Sequence, residues 1–161
     1  MFMNSNIPLL RWLESKGITL NDLIETALEI FFPHPGVETK EEATKLLREE
    51  FINALSDVNV ACLVIACALL EEEAYKGNVP GLTKEFLEGP GLVADELMGM
   101  IISCYIAGAR GIFEFVRFDQ KKPGILKKLG PVLNDAIGGL ISGASSNMYT
   151  RALLKARKRS S

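Results

Sequence analysis

The sequence predicts an all-α fold: a single-domain multi-helix bundle of six or seven helices with a buried central apolar helix. Three observations predict it. Apolar residues recur at helical spacing, as in Leu20, Leu23, Ile24, Ala27, Leu28 and Phe31. The apolar runs at 58–70 and 97–109 are too long for strands and rich in helix formers. Starting and stopping residues punctuate the chain between these runs. A length of 161 residues suits one core. Residues 1–161 are therefore read as one helical domain, with 1–55 an N-terminal helical extension, 56–150 the main body and 151–161 a basic tail.

Taken in order, Ser5 is expected to cap a short first helix that tolerates Pro8 in its first turn and ends at Gly17. Thr19 caps the second, and Pro33-His34-Pro35-Gly36 stops it. Thr39 with Glu42 forms a capping box for a third helix to about Leu55. Ser56-Asp57 reads as a break and a new cap before an apolar helix at 58–75, closed by Gly77. Residues 77–91 are loop-like, with one turn near 83–87. The central apolar helix starts near Leu92, and Pro131 opens the last one. Ala107-Gly108-Ala109-Arg110-Gly111 sets two glycines three apart, each weakening a helix by roughly 1 kcal/mol. A turn there is expected to fold Ile112 to Val116 back beside Met98 to Ser103, returning Asp119 toward Asp95.

Composition narrows the function. A formal net charge of −2 argues for no nucleic acid as partner. Cys62, Cys67 and Cys104 lie in apolar runs without C-x-x-C spacing, so all three are expected to be small buried hydrophobes. The apolar runs are shorter than the ~20 residues of a spanning helix, so no transmembrane segment is expected. With no basic-then-apolar leader visible, a cytoplasmic location is expected.

Three places set carboxylates among core-like residues: Asp95-Glu96 before Gly99, Asp119 before Lys122-Pro123, and Asn134-Asp135 before Gly138-Gly139. A buried carboxylate is costly unless paired or coordinated. One straight helix would hold Asp95 and Asp119 ~36 Å apart, whereas the glycine turn returns them to one end of the bundle. Clustered carboxylate oxygens suit Mg²⁺ or another hard divalent cation, which also contacts substrate phosphate. Lys122 would supply charge to phosphoryl oxygens. No Cys/His or Ser/His/Asp set is spaced for covalent catalysis. A metal-activated water is the mechanism favoured, with Asp95, Asp119 or Asp135 as base.

The spacing D-E-x-x-G, F-D-x-x-K-P-G and N/D-D-x-x-x-G resembles the phosphatidylglycerophosphatase A superfamily, over roughly residues 55–150. The stretch from Gly17-Ile18-Thr19-Leu20 to His34-Pro35-Gly36-Val37-Glu38-Thr39 resembles the extension of its soluble α-ribazole phosphatase branch. The resemblance implies a metal-dependent phosphatase for a small phosphomonoester, α-ribazole 5′-phosphate in cobalamin nucleotide-loop assembly. It implies Asp95, Glu96, Asp119, Lys122 and Asp135 as catalytic, Asp95, Glu96, Asp119, Asn134 and Asp135 as metal ligands, and Lys122 with Arg117 as substrate-binding. A homo-oligomer is expected. Two alternatives stand beside it: a phosphatidylglycerophosphate phosphatase, and a non-catalytic helical oligomer that binds a phosphorylated ligand. The Pro-Gly-Thr-x-Gly-Ser segment of the lipid phosphatases is absent, and Asn134 stands where the family commonly has Asp.

Overall fold

The computed structural model describes residues 6–159, and the expected cap Ser5 lies outside them. Eight α-helices are present among these residues: α1 (Pro8–Ser15), α2 (Leu20–Glu29), α3 (Lys40–Ser56), α4 (Val58–Tyr75), α5 (Lys84–Glu88), α6 (Ala94–Ala107), α7 (Ala109–Lys121) and α8 (Pro131–Arg159). A 3-10 turn, Gly124–Lys128, joins α7 to α8. Among the described residues, the only β pairing is an isolated bridge between His34 and Val37. The short α5 accounts for the extra helix, where one turn was expected.

Local chemistry sets the boundaries. Thr19 and Thr39 each accept a hydrogen bond from the backbone three residues on, and Asp22 and Glu42 return one, closing two capping boxes. The Asp57 carboxylate caps α4 through the Asn59 N–H. Thr83 does the same for α5 through Phe86. Gly17 and Gly77 end their helices at φ near +80°, open to glycine without strain.

The centre of the bundle is α8, rather than the expected helix near 92–107. Its Val132, Ala136, Ile137, Leu140, Ile141, Ala144 and Met148 are all buried, and α2, α3, α4, α6 and α7 contact it. Small residues explain the choice. Gly138, Gly139, Gly143 and Ala144 let neighbours close in around α8, whereas α6 turns Leu97 and Ile101 outward. Residues 7–55 contribute to the same hydrophobic core as the rest. The basic 151–159 segment continues α8 as helix rather than forming a tail.

Burial of the cysteines corrects one expectation: Cys67 is buried, but Cys62 and Cys104 are exposed on outward faces of α4 and α6. Among the described residues, no single helix is long and apolar enough to cross a membrane.

Candidate functional site

Two backbone crossings bring the three acidic segments together. Gly108, at φ 69° and ψ −162°, separates α6 from α7. The two helices then run back along each other. A Cβ at Gly111 would lie 2.3 Å from the Ser103 carbonyl oxygen, so that crossing admits only glycine. Asp119 returns to the end of the hairpin where Asp95 starts. At the second crossing, a Cβ on Gly139 would lie 2.3 Å from the Gly99 carbonyl oxygen, and one on Gly99 would lie 2.5 Å from the Asp135 carbonyl oxygen. Asp95 precedes Gly99, and Asp135 precedes Gly139, by one helical turn. The glycines of the motifs are thus packing residues that set the spacing of the aspartates.

Lys122 closes the cluster. It is the only non-glycine at positive φ among the described residues, at φ 44° and ψ 54°, and it caps α7 in the left-handed conformation. Its Nζ donates to Asp119 Oδ1 at 2.5 Å, Asn134 Oδ1 at 2.6 Å and Asp135 Oδ1 at 2.5 Å. The loop that carries it is tied to the N-terminal extension. Gly124 N–H donates to Glu29 Oε2, and Ile125 N–H donates to Thr26 Oγ1. Glu71 accepts from the Val132 and Leu133 N–H groups and so caps α8 just ahead of Asn134.

Electrostatics follow from burial. Asp135 is 3% exposed, and burial pushes its carboxyl up to about 6. The bond and charge of Lys122 oppose that rise, while the charges of Asp119 and Asp95 add to it. Burial also raises Asp95, whose Oδ1 accepts the Glu96 N–H. Burial works against the Lys122 ammonium, but bonds to Asp119 and Asp135 outweigh it and hold the group above its ordinary value. Cys67 lies near enough for burial and the Asp135 charge to push its thiol up to about 11.

Five of the expected site residues therefore meet: Asp95, Asp119, Lys122, Asn134 and Asp135. Glu96 does not join them; it is exposed in the first turn of α6. Arg117 points elsewhere, donating to Glu114 and to the Ile30 carbonyl and covering the Phe32 ring at 4.8 Å. The cause is helical phase, because two residues on a helix turn Arg117 about 200° from Asp119. Arg151 pairs with Glu49 and Glu50 and lines a groove of about 500 Å³ with Lys155 and Lys158.

The donor set fits a hard cation in chemistry, being oxygen throughout. Asp119, Asn134 and Asp135 already converge on one positive charge. That charge is the lysine's own, and among the described residues no three His, Cys, Asp or Glu side chains are gathered to hold a metal ion by themselves. The roles of Thr26, Glu29 and Glu71 escaped the sequence reading. Their partners lie far off in sequence, so no local spacing marks them.

No family model matches the chain. It is 37% identical over 117 residues to the uncharacterised protein MJ1330 of Methanocaldococcus jannaschii, covering 70% of this chain and 90% of that one. Solved structures that share the fold include the following three. The low temperature requirement C protein of Listeria monocytogenes has a TM-score of 0.74 at 23% identity, covering 89% of this chain and 93% of its own. The protein YpjQ of Bacillus subtilis has 0.72 at 20%, covering 91% and 94%. A protein of unknown function from Bacillus stearothermophilus has 0.70 at 22%, covering 89% and 96%. At these identities the likeness establishes the fold alone.

Proposed function

For a chain that belongs to the family of MJ1330, we propose a divalent-metal-dependent phosphatase of the phosphatidylglycerophosphatase A type, acting on a small phosphomonoester such as α-ribazole 5′-phosphate. The observation that carries the reading is the convergence of Asp119, Asn134 and Asp135 on the Lys122 ammonium, with Asp95 beside them. Three carboxylates and one ammonium leave an ionised centre at about −2, which repels a phosphate unless further positive charge enters. A bound Mg²⁺ would supply that charge and lower the pKa of a water. Asp119, Asn134 and Asp135 are the oxygens that would hold it once the ammonium moves aside. Lys122 then meets the phosphoryl oxygens, where its charge matters most in the transition state. Asp95 is not held by the lysine, and burial raises its basicity, so it is assigned as general base. The same reading places the enzyme in the cytoplasm as a homo-oligomer.

A second reading is favoured by the same lysine. A permanent internal ammonium, bonded on three sides, neutralises part of the cluster without any metal. The chain would then be a non-catalytic helical oligomer that binds a phosphorylated ligand. Phosphate release from a panel of phosphomonoesters, including phosphatidylglycerophosphate, separates these readings when measured with Mg²⁺ and with chelator. Mg²⁺-dependent release supports the phosphatase and its substrate identifies the branch. No release from any substrate, with ligand binding retained, overturns it.

A further inference from the structure

We propose that the outer face of the α4–α6–α7 layer is the contact between two copies of this chain. Helices α4 and α6 are joined by the Asn59–Tyr105 hydrogen bond and the Cys67–Met98 contact. Helices α6 and α7 form the glycine-crossed hairpin. The side chains opposite the core on this layer are Leu69, Leu97, Ile101, Cys104, Phe113 and Val116, and all are exposed. Phe113 is the most open at 77%, and Ile101 is at 55%. The outermost stripe of the hairpin runs Val93, Leu97, Ile101, Cys104, Gly108, Ala109, Phe113, Val116 and Gln120 without one charge. A surface helix of a monomer carries its polar residues on that side.

Area and charge select the occupant. With Val58 and Tyr105, these side chains expose on the order of 700 Å², at roughly 150–250 Å² for each large one. Contiguous apolar patches on monomers stay near a few hundred Å², whereas a stable interface takes about 800 Å² from each partner. The face therefore falls within the roughly 600–1,000 Å² per partner of a standard interface, and one face pairing with itself about a two-fold axis closes the assembly. A lipid surface is the poorer fit. Neither α4 nor α6 contains Lys or Arg; of the cations on α7, Arg110 is turned to Thr150, Arg117 to Glu114 and the Ile30 carbonyl, and Lys121 stands at the last residue of the helix, whereas interfacial helices flank their apolar face with cations that reach the headgroups. Burial of this layer also shelters the exposed thiols of Cys62 and Cys104.

The inference rests on the functional reading only for the association of like copies, and its test does not use phosphatase activity. Light scattering after size exclusion, across about 1–100 µM, is expected to give twice the 17.6 kDa chain mass. Ile101→Glu and Phe113→Glu place charges where the free chain is open to water, so each is expected to keep its helical circular dichroism and run as a monomer. Leu154→Glu, at an equally exposed site near the end of α8, is expected to remain a dimer. A wild-type monomer at 100 µM overturns the proposal, as does persistence of the dimer in both hairpin variants. A wild-type monomer that floats with phosphatidylglycerol vesicles assigns the face to lipid and overturns it too.

Discussion

Replacing Lys122 with Met tests whether the ammonium holds the acidic ends of α7 and α8 together. Methionine keeps most of the stem and deletes the charge. The change strips three oxygens of their shared donor, and one of them belongs to Asp135, which is 3% exposed. Leaving a buried charge without its partner costs ~3–5 kcal/mol. The Lys122 side chain is 37% exposed, however, so water screens part of that cost and about 2 kcal/mol is the reasonable figure. For a chain of this size that lowers the melting temperature by roughly 4–8 °C. The deficit should appear at pH 7.5 and shrink toward pH 5, where Asp135 takes up a proton. Thermal melts by circular dichroism, in chelator and then in millimolar Mg²⁺, read both effects. Mg²⁺ at 100 times its dissociation constant adds about 2.7 kcal/mol to any chain that binds it, so Lys122→Met should still show a melting shift on adding it, as wild type does. Turnover should still fall by about 10²- to 10³-fold, whereas Lys121→Met, at an exposed neighbour, should change neither quantity. An unchanged melting curve for Lys122→Met at pH 7.5 would refute the reasoning and reduce Lys122 to a surface charge.

Two further outcomes follow from the same geometry. Asp135 rises from 3.8 in the unfolded chain to about 6 in the folded one, so the folded state binds more protons between those values. Its contribution is present in full below about pH 4 and is lost as pH rises through 6, about 3 kcal/mol in all. Denaturant melts from pH 4 to 7 should therefore show wild type losing about that much more stability than Asp135→Asn; parallel curves would dismiss the shift. The glycines of α8 should divide by what their Cβ would meet. Gly139→Ala drives a methyl to 2.3 Å from the Gly99 carbonyl and should cost ~1–3 kcal/mol, with loss of activity as the aspartates separate. Gly138→Ala meets nothing nearer than 3.5 Å and should be neutral or up to ~1 kcal/mol stabilising. Equal melting temperatures for the two variants would mean that the crossing is not as close as described.

Much of this organisation is legible in the sequence because it rests on local chemistry. The Thr39–Glu42 box, the Asp57 cap and the Gly108 break each depend on residues within four positions of one another. Choosing α8 over α6 as the central helix does not, because the two apolar patterns look alike until the neighbours are known. Exposure of Cys62 and Cys104 escaped for the same reason: an apolar run does not say whether its last face meets the core of its own chain. The site was half legible. Asp95, Asp119 and Asp135 stand out as carboxylates among apolar residues, while Arg117, two residues from Asp119 in sequence, lies on another face of the helix and bonds Glu114 and the Ile30 carbonyl. Thr26 and Glu29, which fix the Lys122 loop from 95–99 residues away, left no pattern to read.

The aspartates and the glycines of the motifs serve one end. A carboxylate can be buried at this junction only if its neighbours are held close enough to answer its charge. The distance that allows this is set where α6 crosses α8, one turn beyond each aspartate, by residues without a Cβ. That close crossing fills the inner side of the α6–α7 hairpin and leaves its apolar outer side with no partner in the same chain. Building the charged site and leaving an apolar face open are therefore two results of a single packing decision. A substitution that widens the crossing should weaken both the site and, through the tilt of the hairpin, the association of copies. Gly99→Ala is the variant in which to look for the two losses together, because its methyl would meet the Phe115 ring at 2.4 Å as well as the Asp135 carbonyl at 2.5 Å. Loss of dimer without loss of Mg²⁺ response, or the reverse, would show that the crossing does not control both.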